Sequence, residues 1–189
     1  MRFLAVVVLI FFTGCAYIDQ NLRVDPVVSV SSSNIGKGKE IDVEVIDDRE
    51  DQIIGKRHDG YGLAGAKITT DQDLVDVLKE SVYSAFQAKG FHPVSDKNIT
   101  TTVKVQLRSL AYDTAVGLWT GGNIGKATIK VVATNSDGKT FEKNYRGQKE
   151  VRTVFVGSQE TNAKVINEAF SEAIQRMFED EELLKFLNQ

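Results

Sequence analysis

The sequence predicts an α+β domain: an antiparallel β-sheet of about four to five strands with two amphipathic helices packed on one face. Three observations predict it. Ile41-Asp42-Val43-Glu44-Val45 and residues 100–112 alternate apolar and polar side chains with the period of a half-buried strand. Two other stretches repeat apolar residues at helical spacing. The order is strand, helix, three meandering strands, helix, and layering the helices on one sheet face buries every apolar stripe.

Taken in order, Arg23-Val24-Asp25-Pro26-Val27-Val28-Ser29-Val30 reads as an edge strand, because Pro26 cannot donate to a central ladder. A loop follows from Ser31 to Lys39, then the strand at 41–45. Asp47-Asp48-Arg49-Glu50-Asp51 and the short pair Ile53-Ile54 lead into Gly55-Lys56-Arg57-His58, and a glycine-spaced loop runs from Gly60 to Gly65. Thr70-Asp71-Gln72-Asp73 resembles a capping box. Behind it Leu74, Val77, Leu78, Val82, Ala85 and Phe86 form one helix face, closed by Gly90 at the C′ position.

Residues 100–112 place Thr101, Val103, Val105, Leu107 and Ser109 on one strand face. A Gly-rich connection covers Leu118 to Gly125. Ala127, Ile129, Val131 and Ala133 begin the next strand, and Asn135-Ser136-Asp137-Gly138 is a hairpin turn. Phe141 to Val156 returns as a long strand with a bulge near Gly147. Ser158 caps a second helix carrying Ala163, Ile166, Ala169, Phe170, Ala173, Ile174 and Met177. Leu183, Leu184, Phe186 and Leu187 add a short apolar patch.

The N-terminus has its own logic. Met1-Arg2 precedes an unbroken apolar run from Phe3 to Phe12, then Thr13-Gly14-Cys15. That is the layout of an export signal, and at about 15 Å as a helix the run is half the ~30 Å of a bilayer core. Phe12-Thr13-Gly14-Cys15 resembles a lipobox, with Phe12 where Leu is usual. The resemblance implies that Cys15 carries acyl chains, and that Ala16, in place of an Asp, directs the protein to the outer membrane facing the periplasm. Cys15 is the single cysteine of the chain, which leaves no partner for an intrachain disulfide. The expected organisation is a signal peptide at 1–14, a lipidated N-terminus, tether and edge strand at 15–40, and one domain at 41–189.

Composition is that of an ordinary globular domain, 42% apolar and 26% charged, with a formal net charge of −3. That balance argues against nucleic acid as a partner and against a polybasic membrane surface. No metal or cofactor site is expected, since His58 and His92 lack ligand spacing and the acidic run lacks EF-hand spacing. No G-x-S-x-G motif is present. Gly121-Gly122-Asn123-Ile124-Gly125-Lys126-Ala127 fails as a phosphate loop at Thr120 and Ala127. An enzyme is therefore not expected.

Two features remain as candidate interaction sites. The first is the stretch from Asp47 through Arg57, with Arg49 set among acids directly after a strand: either it is a structural ion pair that pins the loop, or it presents a guanidinium fork to a partner's carboxylate or phosphate. Trp119 is the single tryptophan: either it fills the core or it marks a binding patch.

The residues also resemble the YajG-like lipoproteins of Gram-negative bacteria. The similarity rests on the lipobox, Val24-x-Pro26, Asp48-Arg49, Ile54-Gly55, the run from Ala127 to Ala133, Lys143-Asn144-Tyr145-Arg146, and Asn167, Met177, Asp180 and Phe186. It implies an envelope lipoprotein and transfers no reaction. The expected role is a membrane-tethered, non-enzymatic module that binds an envelope protein through its loops and an open sheet edge. The alternative is a small-molecule or envelope-glycan binder with a groove near Gly60–Gly65 and Trp119.

Overall fold

The computed structural model describes residues 18–58, 64–116, 121–153 and 157–189. Cys15, Trp119 and most of the Gly60–Gly65 loop lie outside them.

The long strands form the spine. β6 (Thr102–Val116), β7 (Gly121–Thr134) and β8 (Thr140–Thr153) are an antiparallel meander. The β7–β8 turn is the expected one, with the Gly138 N–H donating to the Asn135 carbonyl at 2.9 Å and Gly138 at φ +76°. The other edge of β6 is shared. Its first half pairs with β2 (Glu40–Asp47) and its second half meets β3 (Gly55–His58) at Gly55 and Tyr112. Outside β2 lies β5 (His92–Val94); outside β3 lie β4 (Ala64–Thr69) and then β1 (Gln20–Asn21).

The antiparallel sheet of four to five strands is thus corrected to a mixed sheet of eight. β2 runs parallel to β5 and β6, and β1 parallel to β4. The cause is the helix α1 (Leu74–Ala88), a crossover that carries the chain back to start β5 beside the start of β2. β3 and β4 add strands where Gly55-Lys56-Arg57-His58 shows no apolar alternation. The expected edge strand at 23–30 does not form; that segment is extended but joins no ladder.

Helices α1 and α2 (Gln159–Glu179) cover one sheet face, with a third, α3 (Glu181–Leu187), formed by the terminal apolar patch. Phe86 of α1 meets Phe178 of α2 edge-on at 4.7 Å, which joins the two helices over the core. The N-cap of α1 is Asp73, whose carboxylate accepts the Val75 N–H, while the Thr70 hydroxyl accepts the Gln72 N–H and donates to the Gln72 side-chain oxygen. Ser158 caps α2 as expected.

Two local corrections concern strands. Gly121 to Gly125 is not a connection but the first part of β7, paired on both sides. The bulge lies in β6 between Leu107 and Ser109, not at Gly147. It switches the buried set from Val103, Val105 and Leu107 to Leu110 and Tyr112. Gly147 instead admits α2: a Cβ there would sit 2.0 Å from the Ala169 carbonyl oxygen, and one at Gly125 2.1 Å from that of Val165. The outer sheet face is polar, with ion pairs such as Lys130–Glu142 at 2.7 Å and Lys104–Glu44 at 3.1 Å.

Candidate functional site

From Gln20 onward the chain is locked to the domain. Leu22 and Val24 are buried in the core, and burial alternates through Val30 as it would in a strand. Its backbone partners are mostly side-chain amides rather than a neighbouring strand. Gln72, just before α1, accepts the Val24 N–H at 2.6 Å and donates to the Val24 carbonyl at 3.1 Å. Asn167 of α2 accepts the Asp25 N–H at 2.8 Å and donates to the Arg23 carbonyl at 3.2 Å. Gln159 donates to the Asn21 carbonyl at 2.8 Å, and the buried Asn162 to the Gln20 side chain at 2.8 Å. Further along, Lys89 donates to the Ser31 carbonyl at 2.8 Å. The segment is a strap across the helical layer. Between it and α1 lies a groove of about 570 Å³, lined among others by Val24, Val28, Val77, Glu80, Ser84 and Ala88.

The candidate residues separate. Arg49 follows β2 and folds back onto Asp47: its Nε and Nη2 each donate at 2.8 Å to the two carboxylate oxygens, and Nη2 also reaches Gln52 at 3.1 Å. The Arg49 side chain is 4% exposed. Burial pushes the Asp47 carboxyl up, but the hydrogen bonds and charge of Arg49 outweigh it and hold the group below its ordinary value. Arg49 therefore makes a structural pair, and its fork faces inward. Asp48 turns the other way and pairs with Arg108 of β6.

Arg57 lies in β3 and is buried, with its charge beside Tyr112. The Tyr112 hydroxyl donates to Asn123 Oδ1 at 2.7 Å. Burial pushes this hydroxyl up to about 12, and the Arg57 charge offsets part of that. Arg49 and Arg57 thus belong to different local networks rather than to one exposed patch. His92 is exposed in β5. Among the described residues no three His, Cys, Asp or Glu side chains converge as metal ligands, and no helix is long and apolar enough to cross a membrane.

Sequence reasoning placed Gln72 only in a capping-box motif and missed Gln159 and Asn162 altogether. Asn167 stood out only through the family resemblance, together with Lys143, Tyr145 and Asp180. Asp180 caps α3 and collects the Lys143 ammonium at 2.7 Å and the Tyr145 hydroxyl at 2.6 Å. These residues hold the strap and the C-terminal helices in place.

One long surface remains unpaired. β8 bonds β7 on one side and, among the described residues, no strand on the other. On that outer side the Gln148 N–H is met by the Glu172 carboxylate at 2.8 Å.

A family model described as an uncharacterized lipoprotein matches residues 26–188. The uncharacterized lipoprotein YajG of Escherichia coli K12 is 24% identical over 184 residues, which cover 97% of this chain and 94% of that one. A Xanthomonas campestris protein of known crystal structure shares the fold with a TM-score of 0.50 and 15% identity, covering 86% of this chain and 91% of that one. A minor lipoprotein from Acinetobacter baumannii aligns over 75% of this chain and 90% of its own at 8% identity, with a TM-score of 0.45. The chain belongs to the family of YajG-like uncharacterized lipoproteins.

Proposed function

From membership in this family we propose that the chain is an outer-membrane lipoprotein, anchored through acyl chains on Cys15 and facing the periplasm. Its domain is a non-enzymatic module that takes up an extended segment of another envelope protein along β8. The lipobox-like ending at Cys15 and the Ala16 that follows support the anchor. Several acyl chains, at about 0.8 kcal/mol per buried CH₂, make release negligible.

The observation that carries the binding role is the open edge of β8. Along its fourteen residues every second one turns its main-chain donor and acceptor outward, and of these the Gln148 N–H is already met by Glu172. Natural sheets shorten, cover or pair such an edge, and strand addition is the recognition mode that uses one left open. Asn144 and Arg146 are exposed beside it, and residues of the same parity as Gln148 direct their N–H groups outward.

A photoreactive residue introduced at Asn144 tests this in intact cells. The expected result is one reproducible adduct that disappears when Arg146 is replaced by proline, which removes an outward donor and spares the β7 ladder. No reproducible adduct at Asn144 would count against the reading. For the anchor, Cys15→Ser abolishes fatty-acid labelling and releases the protein from the outer-membrane fraction; label that persists in the variant overturns it.

The groove between the strap and α1 supports the second reading, a small-molecule or glycan binder. A thermal-shift screen with envelope glycan fragments tests it, and no shift with any fragment sinks it.

A further inference from the structure

Arg146 stands apart from the other guanidinium groups. Arg23, Arg49, Arg108, Arg152 and Arg176 each pair with an acid, and Arg57 is buried beside Tyr112. Arg146 is exposed and meets no acid or hydrogen-bond acceptor among the described residues. It lies in register with Thr128 of β7, and Thr128 with Ser109 of β6. These short side chains floor a depression of about 500 Å³ that extends to Gln148 and Glu172 at the edge of β8, which leaves room for an incoming side chain. Arg146 also belongs to the open row. Like Glu142 and Asn144 it has the parity of Gln148, whose N–H points away from β7.

A strand laid antiparallel along β8 sets outward-facing residues opposite outward-facing residues. β8 meets that condition for itself. A second copy centred on Asn144 puts Asn144 opposite its counterpart and Arg146 opposite Glu142, and the two-fold axis repeats the Arg146–Glu142 pair on the other side. Glu142 has a carboxylate to offer: it meets Lys130 at 2.7 Å, but its side chain is 56% exposed and keeps an open side. Centring on Gln148 instead would set Arg146 opposite Glu150. That register is closed, because Glu172 holds the Gln148 N–H at 2.8 Å, Arg176 fastens Glu172 at 2.6 Å, and Arg152 holds Glu150 at 3.1 Å. Axes on Glu142 or Arg146 set like charges face to face. Axes at Lys143 or Tyr145 leave Arg146 opposite Thr140 or Asn144.

We infer that the strand filling the open edge is β8 of a second copy of this chain, in a two-fold dimer centred on Asn144 with Arg146 of each copy paired to Glu142 of the other. The inference rests on the reading that β8 takes up an added strand, and it names that strand. Glu172 bounds the ladder, since it occupies the Gln148 N–H in both copies. So short a ladder belongs with the smaller, transient interfaces, and the test is therefore made on the protein in its cell.

Opposed residues of a hydrogen-bonded antiparallel pair have Cα atoms about 5.5 Å apart, within reach of a disulfide. Asn144→Cys in the full-length protein, produced at its natural level, is expected to give a reducible band of twice the monomer mass. The unsubstituted protein, which keeps Cys15, sets the background. Gln148→Cys lies about 27 Å from its counterpart in this register and is expected to give no band above it. In the Asn144→Cys background, Arg146→Glu and Glu142→Arg each set like charges face to face, and the band should fall about tenfold. Carrying both reverses the pair and should restore the band to within about threefold. No band at position 144, a stronger band at 148, or equal bands from the single and double charge variants overturns the inference. The photoreactive residue at Asn144 separates the two failures. An adduct with a different protein and no disulfide at 144 sinks the dimer alone, whereas no adduct of any kind sinks the reading of β8 and the dimer with it.

Discussion

Gln72 grips the main chain of Val24 with both halves of its amide, accepting the N–H at 2.6 Å and donating to the carbonyl at 3.1 Å. One side chain thereby does what a residue of a neighbouring strand would do. Asn167 repeats the device across Arg23 and Asp25. Together they let an extended segment cross the helical layer with its backbone satisfied, as a buried backbone requires.

Gln72→Ala removes both bonds and strands two buried main-chain groups. The expected loss is about 1–3 kcal/mol. Hydrogen exchange is the sharper measurement: the Val24 amide speeds up while amides in the middle of β6 keep their protection. Unchanged exchange at Val24 would mean that core packing of Leu22 and Val24, rather than the amide, holds the strap.

Gly147→Ala puts a methyl group where α2 already touches β8, with the Ala169 carbonyl oxygen 2.0 Å away and backbone on the other side. Neither element can yield by rotating a side chain. Overpacking of this kind costs about 1–3 kcal/mol or more. A lowered urea midpoint with an unchanged slope is expected. Gly138→Ala has open space and strains only the turn, so it is the milder variant.

Asp180 predicts a pH dependence. Burial pushes its carboxyl up, but bonds from Lys143 and Tyr145 dominate and hold it below its ordinary value of 3.8. A depressed folded value means that the unfolded chain takes up the proton first. The stabilisation is complete above the ordinary value and drains away as the pH falls through the folded one. Asp180→Asn keeps an N-cap for α3 and removes the charge. Stability of the natural protein should fall more steeply than that of the variant below about pH 4. Parallel curves would show that the carboxylate contributes nothing specific. Burial, then the bond to Asp180, also pushes the Tyr145 hydroxyl up, so it stays protonated throughout this range.

Arg49→Lys tests the reading of Arg49 as structural. The ammonium cannot reproduce the two parallel bonds to Asp47, and the site is nearly closed to water. Removing one partner of a buried pair outright costs about 3–5 kcal/mol, and Arg49→Lys, which keeps the charge, is expected to lose part of that. Thermal denaturation should show the loss, and crosslinking along β8 should be unaffected in the protein that remains folded. A stable variant with lost crosslinks would instead place Arg49 at the interface.

Much of this was legible because it is local. Leu74, Leu78, Val82, Ala85 and Phe86 in α1, and Ile166, Phe170, Ala173 and Ile174 in α2, are buried as their spacing predicts. The hairpin turn and the Ser158 cap follow from residue type. Gly121 to Gly125 was illegible as a strand because glycine carries no side chain to show a period, and only pairing with β6 and β8 fixes it. Gly147 announced something unusual, but a bulge and a close helix contact leave the same mark in sequence. Arg49 among acids announced an ion pair without naming its partner, because Asp47 and Asp48 differ only in the direction the backbone gives them. Gln72 stood out only as part of a capping-box motif and Asn167 only through the family resemblance, since an amide that braces a strap looks like any surface amide.

The sequence by itself determined the two long helical segments and the apolar face of each. Tertiary structure alone decided which strands are neighbours, that β2 runs parallel to β6, that β8 has no second neighbouring strand among the described residues, and that Asp25 finds Asn167 across 142 residues. The physical reason is that periodicity records which side of a segment avoids water and not what covers it. The covering partner is chosen only when the whole chain closes on itself.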